Sequence, residues 1–96
     1  MRTNAKMGIK LRSIRYLGLY REKRGGEVNY SISHISHTSK NSFALMLRRK
    51  GYRVVAVLDT RNISDIADGS DNVRFSYSQE IRDYVNKMIN DGELII

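Results

Sequence analysis

The side chains with chemistry to offer in this chain are mostly cations. Arg12, Arg15, Arg21, Lys23 and Arg24 crowd into one early stretch, and Arg48, Arg49 and Lys50 with Arg53 form a second group further on. Guanidinium and ammonium groups spaced like this can neutralise successive phosphates of a nucleic acid, while a neighbouring Tyr16 or Tyr20 stacks on unpaired bases. The competing reading is that charges at a turn keep an exposed sheet edge from aggregating, and that cations after a helix simply complement its dipole. A third group, Thr38, Ser39 and Lys40, opens an expected helix. Free backbone N–H groups there suit an anion, although the segment lacks the glycines of a Walker loop and ordinary capping by Ser39 or Asn41 also accounts for it.

Other reactive types are sparse. His34 and His37 have no third ligand near them in sequence, and Asp65, Asp68 and Asp71 lack the alternating oxygen ligands of a calcium loop. Asp59 stands at the end of an apolar strand, where α/β proteins often carry a working carboxylate, yet alone it performs no reaction. With no cysteine in the chain, disulfides, thiolate zinc sites and cysteine nucleophiles are excluded. No metal, no cofactor and no catalytic set is expected.

The elements that must position these cations are legible to different degrees. The clearest is Asn41 to Asp59. Phe43, Met46 and Leu47 share one helical face, Gly51 suits the left-handed position past a helix end, and Tyr52 to Leu58 is apolar on both faces apart from Arg53. An inner strand covered on both sides fits that last pattern. Earlier, Glu27 to Ile35 alternates, with Val28, Tyr30 and Ile32 on one side and Asn29, Ser31 and Ser33 on the other. Ile9 to Tyr20 reads as its hairpin partner, with Gly25 and Gly26 supplying the turn. A helix over 7 to 20 competes, because Met7, Leu11, Ile14 and Leu17 also form a stripe. If the strands at 28 to 36 and 52 to 58 run parallel, the helix between them is a right-handed crossover.

Beyond Asp59, TRNISDIADGSDN predicts a loop with a short helical turn, and Val73 to Tyr77 a short strand. Ser76 and Gln79 form a possible capping box for a last helix carrying Ile81, Tyr84, Val85, Met88 and Ile89 on one face. Leu94, Ile95 and Ile96 are too apolar for a loose tail and should dock as an edge strand or against a partner chain. The expectation is a single α+β (or small α/β) domain over 1–96, with 1–6 a flexible tail. An N-terminal hairpin precedes a central helix, a buried strand and a short strand, and a C-terminal amphipathic helix covers one face of a mixed sheet.

Size and charge bound what such a domain can do. A chain of 96 residues buries somewhat over ~60% of its unfolded surface, leaving little room for a deep internal site. Residues 1 to 53 hold 13 Lys and Arg against 2 Glu, while 54 to 96 hold 4 against 8 Asp and Glu. A chain so divided should turn a cationic face to phosphates or to an acidic protein. No apolar stretch is long enough for a secretory signal or a membrane span, and a cytoplasmic location is expected.

Three partial likenesses arise, and the chain departs from each. Gly18-Leu19-Tyr20 followed by Tyr30-Ser31-Ile32 resembles the paired motifs of GIY-YIG nucleases, but Ile32 replaces the last glycine. Tyr30 to Ser39 is similar in layout to the start of a serine recombinase, without the arginine that should precede the nucleophile. Val54 to Thr60 resembles the opening strand of a PIN-type nuclease, with too little chain left for the other carboxylates. The expected function is therefore nucleic-acid binding, DNA or RNA, through phosphates. The alternative is a protein-interaction module, such as a small inhibitor or adaptor encoded by a phage or other mobile element. It would bind an acidic partner or form a homodimer through a sheet edge.

Overall fold

The computed structural model of the chain describes residues 8–22, 25–34, 39–70 and 76–96. They form an α+β fold with two sheets. The larger is antiparallel, in the order β3-β2-β4, from β2 (Ile14–Glu22), β3 (Gly25–His34) and β4 (Arg53–Asp59). The smaller pairs β1 (Ile9–Lys10) in parallel with β5 (Leu94–Ile95). The helices are α1 (Lys40–Arg49), α2 (Ile63–Asp68) and α3 (Gln79–Asn90).

The hairpin and its two strands match the sequence reading, and the helix over 7 to 20 does not form. Its first strand is nevertheless interrupted. A 3-10 turn at Leu11–Ser13, in which Ser13 Oγ donates to the Lys10 carbonyl at 2.7 Å, separates β1 from β2 and sends them to different sheets. The glycine pair is not the turn: Gly25 already pairs with Glu22, and Gly26, at φ 102°, sits at an irregularity of the ladder. Only glycine takes that angle freely.

β3 and β4 run parallel, as the crossover reading requires, because each is antiparallel to β2, and α1 carries the chain from one to the other past that strand. β4 pairs antiparallel with β2, and β3 lies on the far side of β2. β2 is therefore the inner strand and β4 an outer one. Apolar composition reports that both faces of a strand are covered, which holds for β4, but it carries no information about lateral neighbours.

Each face of the sheet has its own core. Leu17 and Leu19 of β2 and Leu58 of β4 pack with Ile63 and Ile66 of α2 and with Val85 and Met88 of α3. On the opposite face Tyr16 and Val57 meet Phe43 and Leu47 of α1. Period-two alternation along β2 and β4 assigns their residues to one side or the other. Met46, expected beside Phe43 and Leu47, is 41% exposed, because α1 seats on the sheet by the i, i+4 pair and turns Leu45 and Met46 outward.

Ser39 caps α1, its Oγ accepting the Ser42 N–H at 3.2 Å. The helix ends in a Schellman motif at Gly51, φ 90°, with the Tyr52 N–H bonded to the Leu47 carbonyl and the Gly51 N–H to that of Arg48. The expected helical turn after Asp59 is present as a 3-10 turn at Thr60–Asn62 running into α2. The capping box at Ser76 is not used. Ser78 caps α3 instead, two residues later, through its hydroxyl and the Ile81 N–H. Of the strand expected at 73 to 77, residues 73–75 lie outside the described residues, and Ser76 and Tyr77 are not in a strand. Leu94–Ile95 docks as the expected edge strand, with Leu94 buried and Ile9 N–H donating to the Glu93 carbonyl at 2.8 Å, while Ile96 stays outside it and exposed.

Candidate nucleic-acid interface

Antiparallel pairing brings the end of β2 to the start of β4, where Arg21 stands opposite Arg53. The chain reaches Arg53 directly from the C-terminus of α1, so Arg48, Arg49, Lys50 and Arg53 gather at that same end of the sheet. Tyr52, in the connection, stacks on Tyr20 of β2 with ring centroids 4.1 Å apart and planes 19° from parallel, which ties the helix end to the hairpin. One cation of the early group, Arg21, thus meets the later group at a single cationic end.

Within it the cations differ. Arg21 is engaged, donating to the Gly26 carbonyl at 2.7 Å and forming an ion pair with Glu80 of α3. Arg48, Arg49, Lys50 and Arg53 are exposed and pair with no carboxylate among the described residues. Lys23 and Arg24, the hairpin tip, lie outside the described residues, as does Thr38.

The remaining predicted cations are elsewhere. Arg15 is six residues up β2 from Arg21, about 20 Å at the usual strand rise. Its guanidinium lies 5.4 Å from the centroid of the Tyr16 ring. Arg12 is exposed on the 3-10 turn, beside Lys10, Ile95 and Ile96. Lys40 is exposed at the start of α1, and Ser39 spends its hydroxyl on Ser42, donating to its Oγ at 3.0 Å while accepting its N–H.

The expected base stacking meets the packing: Tyr16 is only 7% exposed, and one face of the Tyr20 ring is already covered by Tyr52. The hairpin is no free ribbon, since β2 is flanked by β3 on one side and β4 on the other.

At the opposite end of the sheet Asp59 is held by Arg61. The Arg61 backbone N–H donates to Oδ1 at 2.9 Å, and the guanidinium donates to Oδ1 and Oδ2 at 3.2 and 2.9 Å. These bonds keep the Asp59 carboxyl below its ordinary range, helped by the nearby charge of Arg15. Asp59 acts here as a cap and ion-pair partner. No group of three or more His, Cys, Asp and Glu able to hold a metal ion occurs among the described residues.

α1 carries Lys40, Arg48 and Arg49 and no acid, whereas α2 and α3 on the other face set Asp65, Asp68, Glu80 and Asp83 against Arg82 and Lys87. Sequence reasoning missed Glu80 and Tyr52 as partners of Arg21 and Tyr20. Glu80 is 59 residues from Arg21, and no local pattern signals such a pair. No family model, curated protein or solved structure matches the chain.

Proposed function

We propose that this chain is a small nucleic-acid-binding protein that meets phosphates with the cationic end formed by Arg48, Arg49, Lys50 and Arg53. The observation that carries the reading is the register of Arg21 opposite Arg53, which joins the hairpin end to the end of α1. Exposed cations with no carboxylate partner are free to release counterions on binding phosphate. With Tyr16 buried and one face of Tyr20 covered by Tyr52, contact is mainly electrostatic, and duplex DNA or RNA is preferred over base-stacked single strands. A chain without cysteine suits a reducing cytoplasmic setting.

The test is fluorescence anisotropy of labelled duplex DNA, duplex RNA and single-stranded RNA at low and near-physiological salt. The expected result is duplex binding whose log K falls with log salt at about −0.9 per phosphate contact on DNA. The triple variant Arg48→Glu, Arg49→Glu, Arg53→Glu should weaken it strongly while keeping the native circular dichroism. Absence of binding at low salt would overturn the reading.

One observation favours a second reading, a protein-interaction module. Ile95 and Ile96 are 43% and 65% exposed on a sheet of only two strands, beside Lys10, Leu11 and Arg12. An apolar edge of this kind would seat a second copy or a partner strand. Sedimentation at high salt separates the two readings, because apolar association survives screening and phosphate binding does not.

A further inference from the structure

Beside the outer edge of β3 lies a groove that Arg48, Arg49, Lys50 and Arg53 do not line. It lies between β3 and α3, with a volume of about 850 Å³. Its floor includes Glu27, Val28, Asn29 and Tyr30, four consecutive residues of β3. Side chains alternate between the faces of a strand, so a groove that touches all four runs along the strand's edge and not over one face. β3 is the outermost strand of its sheet, and no strand covers its outer side among the described residues.

The charge of this groove is opposite to that of the chain. Glu27, Glu80, Asp83 and Glu93 face Arg21 and Lys87. Arg21 is already matched by Glu80 and the Gly26 carbonyl, and Glu27 and Asp83 together outnumber Lys87, so the surplus in the groove is negative. Asp83 accepts the Gln79 side-chain amide at 2.8 Å, which orients the carboxylate without neutralising it. Burial first, and Glu93 after it, raises the Tyr84 phenol above its ordinary range. Tyr30, Tyr84, Val28 and Met88 add apolar surface against which a lysine or arginine stem can lie, and the tyrosine rings can take its charged end.

We propose that this groove binds an extended, lysine- or arginine-rich peptide segment, which adds to β3 as a further strand. Main-chain bonds to the β3 edge supply affinity, and carboxylates along the groove select cations at alternate positions of the peptide. The groove adjoins the cationic end at Arg21 but is lined by none of Arg48, Arg49, Lys50 and Arg53, so a partner protein and a nucleic acid can be held at once.

The probe is a fluorescein-labelled peptide of alternating lysine and valine with blocked termini, titrated into the intact protein by anisotropy. Its comparators are a glutamate-valine peptide and a lysine-valine peptide methylated on alternate backbone nitrogens. The expected result is binding of the first alone, weakened at least tenfold by Glu27→Lys with Asp83→Lys. Both positions are exposed, and the neutral pair Glu27→Gln, Asp83→Asn serves if reversal disturbs folding. Duplex DNA binding should be undiminished in either variant.

Three outcomes would overturn the proposal. One is equal affinity of the peptide for wild type and both variants. The second is equal affinity for the N-methylated peptide, which would leave charge attraction without strand addition. The third is a wild-type dimer that the groove variants abolish, which would seat a second copy there instead.

Discussion

Gly18 of β2 lies so close to Phe43 of α1 that a Cβ placed on it would stand 2.8 Å from Phe43 Cε2, and equally 2.8 Å from Leu47 Cδ1. Phe43 and Leu47 are both fully buried, so neither has open space to move into. The missing side chain at Gly18 sets how near α1 comes to the sheet.

Gly18→Ala should therefore destabilise the protein by about 1–3 kcal/mol, the usual cost of overpacking. Leu47→Ala alone should cost about 2–5 kcal/mol through the cavity it leaves. Because removing Leu47 makes room for the new methyl, the double variant should lose less than the two singles combined, by at least ~0.5 kcal/mol. Urea denaturation measures all three. Strict additivity would mean that the approach of α1 is set elsewhere.

Ser33 should matter more than a serine in a surface strand does. It is 5% exposed, and its Oγ accepts the Tyr16 N–H at 2.9 Å where the β2–β3 register shifts. Ser33→Ala leaves that buried N–H without a partner, at a cost of about 1–3 kcal/mol. Ser31→Ala, two rungs along, removes a side-chain hydrogen bond with Tyr20 but strands no buried backbone N–H, and should cost less in the same thermal melts.

The acid limb of stability should depend on Asp59. Its pKa is lower folded than unfolded, through the bonds from Arg61. The stabilisation is therefore complete above the unfolded carboxyl pKa and is lost as pH falls through the folded one. Asp59→Asn keeps the side-chain oxygen that caps the following turn but has no charge to titrate. The drop in melting temperature between neutral pH and pH 3 should be smaller in this variant than in wild type. An unchanged drop would assign the acid sensitivity to other carboxylates.

The two ends of β2 should behave differently toward nucleic acid. Arg53→Ala removes a cation from the proposed footprint and should reduce the salt slope on duplex DNA by about 0.9. Arg15→Ala, about 20 Å away along the strand, should leave that slope unchanged. Equal loss at both positions would require a contact surface extending the length of the sheet.

Much of this fold was legible in local pattern. The alternation of Val28, Tyr30 and Ile32, the face of Ile81, Val85 and Met88, and the glycine after α1 each follow from geometry that a few neighbouring residues impose. So does the docking of Leu94. The failures share a cause. Whether β4 lies beside β2 or β3, whether Met46 or Ala44 turns to the sheet, and whether Ser76 or Ser78 caps α3 all depend on groups brought in from elsewhere in the chain.

The candidate site divides in the same way. Residue type and chain order alone determined that this protein would be a small α+β domain with its cations in the first half and its acids in the second, since composition needs no fold to be read. Only the tertiary structure decided that Arg53 would meet Arg21, that Arg15 would be left at the far end, and that Glu80 of α3 would match Arg21. Strand pairing is made by backbone groups that every residue shares, so the sequence holds no local mark of which strands will meet. The position of each charge is inherited from that pairing.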